Sequence, residues 1–110
     1  MSRIRKYKRF IEDFNSFPKN IQKIIIKNID PDLTKLVCEL CLNIDKGNFP
    51  DKLILKNKKI KRNKKLITAF ADRKKSLHKK NNYIRQKGGF LLPLLFSIAT
   101  PIISKIISSL

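Results

Sequence analysis

Apolar residues recur along the first part of the chain at helical spacing. Tyr7, Phe10, Ile11 and Phe14 fall at i, i+3, i+4 and i+7, one face of a first helix with Lys and Arg on the other. Ser16-Phe17-Pro18 breaks it, and a second helix starts at Pro18 with Ile21, Ile24, Ile25 and Ile29 as its apolar positions. Asp30-Pro31-Asp32 marks a stop and a restart, with either Asp32, or Asp30 followed by Pro31, at the new N-terminus. The third helix has the cleanest pattern: Leu33, Leu36, Val37, Leu40, Cys41 and Ile44, closed by Gly47 and an Asn48-Phe49-Pro50 loop.

From Lys52 onward the character changes. Residues 52 to 87 carry 15 Lys or Arg against one acid, Asp72. Apolar residues persist at Leu53, Ile54, Leu55, Ile60, Leu66, Ile67 and Phe70, and Ile60, Ile67 and Phe70 share a helical face. Ser76 caps one more short helix holding Leu77, Tyr83 and Ile84. After Gly88-Gly89 come 21 residues with one charge, Lys105. Pro93 and Pro101 interrupt them; beyond Pro101, Ile102, Ile103, Ile106, Ile107 and Leu110 face one way, with Ser104, Lys105, Ser108 and Ser109 opposite. That amphipathic pattern suits a helix lying in a membrane interface better than one spanning it. Docking on a partner groove, or on the domain's own core, is the competing expectation.

The predicted fold class is therefore all-α: a helical module over residues 1–50, a basic helical segment over 51–87, and a Gly-Gly junction with a hydrophobic, amphipathic C-terminal helix over 88–110. About 85 residues are left to build a core, near the size where one apolar core is only marginally stable.

Charge sharpens this outline. With 26 Lys and Arg against eight Asp and Glu, the chain carries +18 and a pI near 10.3. Such a surplus repels itself until a polyanion relieves it. Six of the cations are Arg (Arg3, Arg5, Arg9, Arg62, Arg73, Arg85) and the rest are Lys, a mixture suited to phosphate neutralisation more than to base reading. The candidate nucleic-acid-binding residues are Lys56, Lys58, Lys59, Lys61, Arg62, Lys64, Lys65, Arg73, Lys74, Lys75, Lys79 and Lys80. Candidates for membrane or partner contact are Phe90, Leu91, Leu92, Leu94, Leu95, Phe96, Ile102, Ile103, Ile106, Ile107 and Leu110. Residues 19 to 45 present few Arg, Asn or Gln on a shared face, which ranks a sequence-specific helix-turn-helix regulator last.

Chemistry-bearing motifs are sparse. Cys38 and Cys41 form a Cys-x-x-Cys, but His78 is the one histidine and no second cysteine pair exists to complete a zinc site. Within a helical pattern they are expected as reduced core thiols of an intracellular protein. Gly occurs only at 47, 88 and 89, so no phosphate-cradling loop forms, and no Ser/His/Asp set or metal-spaced carboxylate group is present. No catalytic residue, cofactor or metal is expected, and the chain is not expected to be an enzyme. Residues 1 to 9 are basic but no apolar run follows, so no secretory leader is expected.

Four stretches carry a resemblance. Lys46-Gly47-Asn48-Phe49-Pro50, residues 66 to 72, Lys74-Lys75-Ser76-Leu77, and Gln86-Lys87-Gly88-Gly89-Phe90-Leu91-Leu92-Pro93-Leu94-Leu95 resemble small late proteins of Polinton/Maverick elements and their adintovirus relatives. The resemblance covers roughly residues 33 to 110, and its C-terminal third is similar to the precursor of adenovirus core protein mu. It implies a virion protein, passing through the host nucleus during assembly, that condenses double-stranded DNA without sequence preference. The tail would contact an anionic membrane or capsid proteins. It also implies a viral cysteine protease as partner, cutting after the second glycine of Gln86-Lys87-Gly88-Gly89, before Phe90. Gln86 stands where that family's protease more usually meets Met, Leu or Ile, and two glycines equally make a hinge or a helix C-cap. The family's mu is Arg-rich and lacks an ordered N-terminal module, so its function transfers to residues 52 to 87. The N-terminal module is left as a docking domain for a capsid protein. A membrane-active protein, lytic or used in entry, is the alternative function.

Overall fold

A computed structural model describes residues 2–48 and 57–108. Its described residues are helical with no strand, so the protein is all-α. The helices are α1 (Ser2–Lys6), α2 (Lys8–Phe14), α3 (Lys19–Lys27), α4 (Pro31–Asp45), α5 (Lys58–Arg62), α6 (Lys64–Ala71) and α7 (Leu77–Ser108). Leu53, Ile54, Leu55 and Lys56 of the basic stretch, and Leu110 of the tail, lie outside the described residues, as do the side chains of Ile102, Ile106 and Ile107.

Local chemistry sets both ends of α4 and the start of α5. Asp30 resolves the choice at the start of α4: its carboxylate accepts from the Leu33 N–H at 2.8 Å, and Pro31 takes the first helical position. Gly47 (φ +71°) closes the helix in the left-handed conformation. The Asn48 N–H reaches the Asn43 carbonyl at 2.9 Å and the Gly47 N–H the Ile44 carbonyl at 3.2 Å, a Schellman closure. Asn57 caps α5 by accepting from the Lys59 and Ile60 N–H groups at 3.0 and 3.3 Å.

Two sequence expectations change here. On α3 the buried residue is Ile26; of the expected positions, Ile29 is buried in the turn after the helix and Ile25 is partly covered, whereas Ile21 and Ile24 are 40% and 57% exposed. The helix is rotated to lay Ile26 against α7, so the inward face lies off the expected stripe. The helix expected after Ser76 is not short. It begins at Leu77, with the Ser76 hydroxyl 3.4 Å from the Lys79 N–H, and runs 32 residues through Gly88-Gly89, Pro93 and Pro101.

That run through the glycines has a packing cause. A Cβ on Gly88 would lie 2.9 Å from Ile84 Cγ2 and 3.2 Å from Ile26 Cγ2, so α3 approaches α7 at a position without a side chain. A Cβ on Gly89 would meet nothing within 4 Å. The pair is thus neither a helix end nor a boundary in the fold. Pro93 has no N–H to offer the Gly89 carbonyl four residues back, and its own carbonyl accepts from Asn15 Nδ2 at 3.2 Å.

The residues beyond the glycines form the centre of the core. Leu91, Leu92, Leu94, Leu95, Phe96, Ile98, Ala99 and Ile103 are all buried, in one cluster with Phe14, Leu36, Leu40, Ile67 and Ile84. Phe96 meets Phe14 edge-on at 5.1 Å between centroids and Phe10 at 5.9 Å. Helix α4 packs on α6 and α7, and α2 and α3 pack along α7. The three sequence segments therefore share one core. The radius of gyration, 13.1 Å, is what one domain of about 100 residues has.

Polar contacts fix the crossings. Asn81, buried on α7, donates from Nδ2 to Thr34 Oγ1 at 2.7 Å and to the Ile29 carbonyl at 3.2 Å. It ties α7 to the turn between α3 and α4. Asp32, one residue into α4, gathers Tyr7 Oη, Arg3 Nε (3.2 Å) and Lys6 Nζ (3.3 Å). These bonds, the one from Tyr7 first, hold its carboxyl down at about 2.

Candidate nucleic-acid interface

Helices α5 and α6 hold their apolar residues on one side. Ile60, Ile67, Phe70 and Ala71 are buried against the core, Phe70 edge-on to Tyr83 at 5.8 Å. Every third or fourth position being apolar forces the residues between them outward. Lys58, Lys59, Lys61, Arg62, Lys64 and Lys65 are exposed for that reason. The turn from α6 to α7 continues the basic surface with Arg73, Lys74 and Lys75, and Lys79 follows on the first turn of α7.

Two carboxylates reach this surface, accept from neutral donors, and form no ion pair with its cations among the described residues. The Asp72 side chain accepts from the Lys74 N–H at 2.9 Å, closing the turn. Asp45 Oδ1 accepts from Thr68 Oγ1 at 3.2 Å. The ion pairs among the described residues join Arg3 and Lys6 to Asp32, and Lys8 to Glu12, all at the N-terminal end. None involves the ten exposed cations of residues 58 to 79 among the described residues.

Lys80 departs from the expected set. It is 9% exposed, and its ammonium donates to the Asp72 carbonyl at 2.7 Å. Position 80 falls on the inner face of α7 beside Asn81 and Ile84, a placement that only the packing of α7 reveals. Lys56 lies outside the described residues.

The tail candidates divide sharply. Leu91, Leu92, Leu94, Leu95, Phe96 and Ile103 are core residues, and Phe90 is 45% exposed. No helix among the described residues is long and apolar enough to cross a membrane. Of the candidate cleavage residues, Gln86, Gly89 and Phe90 are exposed and Gly88 is buried, all within α7. A protease that binds an extended strand would have to unwind this part of α7 first.

Cys38 is half-buried and Cys41 fully buried, and neither is in a disulfide. Burial pushes both thiols up, Cys41 the further, against a smaller opposite pull from Lys80. They are apolar packing groups on α4, not activated nucleophiles. Among the described residues no group of three or more His, Cys, Asp or Glu is placed to hold a metal ion.

Sequence reasoning missed Asn81, whose buried bridge to Thr34 and Ile29 positions the start of α7. A polar residue inside a run of exposed Lys and Asn carries no periodic signal. Compared with models of protein families, curated proteins and solved structures, the chain matches none.

Proposed function

We propose that the protein neutralises and compacts double-stranded DNA through the surface of α5, α6 and the turn into α7, as a viral core or minor capsid protein does. The observation that carries this is the row of ten exposed cations without a carboxylate partner among the described residues, held on helices whose other side is locked into the core. A folded scaffold presents its ammonium groups without the ordering cost that a disordered polycation meets on binding. Lys predominates, so phosphate contacts outweigh base contacts and the binding is sequence-tolerant.

Association measured for two unrelated duplexes over a salt series tests this. Both should bind with similar affinity, and log K should fall linearly with log salt, by about 0.9 for each phosphate neutralised. A strong preference for one sequence, or binding insensitive to salt, overturns the proposal.

The resemblance to Polinton/Maverick and adenovirus mu-like proteins supports a virion setting for such a protein. A membrane role for the tail requires a second state, because the apolar residues it would use are the ones that pack α7 against α2, α3 and α4. Cleavage after Gly89 would likewise follow an opening of α7 and would leave the remaining module without the centre of its core.

A further inference from the structure

Away from α5, a cavity of about 570 Å³ opens between α1, α4, the end of α6 and the start of α7. Its walls bring together Arg3, Lys35, Lys46, Arg73, Lys75 and Lys80. Four of the six come from separate elements, and Lys35 and Lys46 belong to α4 and its C-cap, outside the basic run of residues 52 to 87. Among the described residues that line it, Glu39 is the one acid. Arg3 is already paired with Asp32 at 3.2 Å; the other five cations around one small space raise each other's energy, and Glu39 offsets little of it.

Lys80 makes the case more specific. Its side chain is nine-tenths buried, lines the cavity, and uses one N–H on the Asp72 carbonyl at 2.7 Å. Among the described residues no carboxylate forms an ion pair with it. An ammonium drawn partly out of water is costly unless an anion or several acceptors meet it. The protein supplies one carbonyl, and the remaining donors have the cavity beside them. The volume falls within the usual range for a ligand pocket, about 300–1,000 Å³.

We infer that this cavity is a binding site for a ligand carrying several phosphates in close succession, held by Lys80 at its base and by Lys35, Lys46, Arg73 and Lys75 at its rim. A lone phosphate carries about two charges at neutral pH and leaves most of the five cations other than Arg3 unmatched. A run of three phosphates matches them. The same chemistry is presented by a free polyphosphate and by adjacent phosphates of a nucleic-acid strand. The inference goes beyond the proposed DNA surface, since Lys35 and Lys46 lie outside it.

Titration calorimetry of the full chain with inorganic tripolyphosphate, near physiological salt, tests it. The expected result is one saturable site. A Lys35→Glu/Lys46→Glu variant should weaken it by about tenfold or more, consistent with the loss of two charge-assisted contacts. A Lys61→Glu/Lys64→Glu variant, with the same change in net charge on α5 and α6, should leave it within about twofold. All four residues are exposed, so helicity by circular dichroism should not move. Lys80→Met is the second arm: it should hold or raise the thermal midpoint of the free protein, by removing a buried charge, and abolish the rise that tripolyphosphate gives the parent. Absence of a saturable site, equal losses in the two double variants, or a ligand-induced rise that survives Lys80→Met overturns the inference.

Labelled duplex then identifies the phosphate source. If saturating tripolyphosphate displaces duplex from the parent but not from Lys35→Glu/Lys46→Glu, nucleic-acid phosphates occupy the cavity. If duplex and tripolyphosphate bind together, the ligand is a free polyphosphate. Failure of the DNA proposal would appear separately, as duplex that does not bind at all while tripolyphosphate does.

Discussion

Helices α5 and α6 and the second half of α7 share one backbone conformation and have opposite environments. The first pair shows water a surface of ammonium groups and buries a narrow stripe of Ile60, Ile67 and Phe70. The second buries almost every side chain from residue 91 to 99, and α2, α3 and α4 pack around α7. By composition the second half of α7 looks separable, a tail set off by two glycines. In the fold it is the least separable part, while the basic helices have the larger free surface. A change of composition along the chain therefore marks a change of environment, not a joint between domains.

Changes in the buried half of α7 should break this contrast most severely. Phe96→Ala removes the ring that both Phe10 and Phe14 pack against edge-on, and should cost about 3–5 kcal/mol in denaturant unfolding. In a chain of this size that is a large share of the total stability. If the tail were a separate element, the loss would be close to zero and the unfolding midpoint would not move.

The two glycines offer a sharper test. Gly88→Val should destabilise by about 1–3 kcal/mol, because the new side chain enters the space of Ile84 and Ile26. Gly89→Ala should stabilise by about 0.5–1 kcal/mol, since its Cβ meets open space and helix propensity improves. Opposite signs at adjacent positions would mark α7 as one packed helix; equal signs would point to a hinge.

Asn81→Ala should cost about 1–3 kcal/mol, because the Ile29 carbonyl and Thr34 Oγ1 each lose a buried donor. On the basic helices the response should be the reverse. Lys61→Glu/Lys64→Glu should leave the unfolding midpoint nearly unchanged, yet lower the slope of log K against log salt for duplex DNA by about two phosphate equivalents. Stability and binding thus separate along the chain.

The smallest effect concerns pH. The folded-state value of Asp32, about 2, lies below its ordinary 3.8. A depressed carboxyl stabilises the fold fully above its ordinary range, and that contribution is lost as pH falls from there through the folded value. Thermal midpoints measured across this window should decline, and Asp32→Asn should flatten part of the decline, since it removes the group that titrates. An unchanged acid profile in the variant would show that the Arg3, Lys6 and Tyr7 cluster adds nothing.

Much of the fold was legible because it rests on local rules. The helical face of Leu36, Val37, Leu40, Cys41 and Ile44 is the buried face of α4, and Asp30, Pro31 and Gly47 bound that helix as capping chemistry requires. Alternation of apolar and basic residues in α5 and α6 likewise predicts which lysines are exposed. Less was legible where one helix had to choose among partners. The spacing puts the apolar positions of α3 at Ile21, Ile24, Ile25 and Ile29; Ile29 is buried and Ile25 partly covered, but Ile21 and Ile24 are exposed and the contact at Gly88 selects Ile26. Lys80 and Asn81 read as more of a basic, polar run, but the length of α7 carries them to its inner side.

By itself the sequence determined the all-α class, the positions of most helices, and the excess of positive charge, since propensity, capping and side-chain chemistry act within a few residues. Only the tertiary structure decided that the apolar stretch after Gly88-Gly89 is core, that the two glycines lie inside one helix, and that Lys80 turns inward among five other cations. Those outcomes depend on which surfaces residues far apart in the chain present to one another. An apolar run buries itself against whatever matching surface the rest of the chain provides, and here that surface is made by α2, α3 and α4.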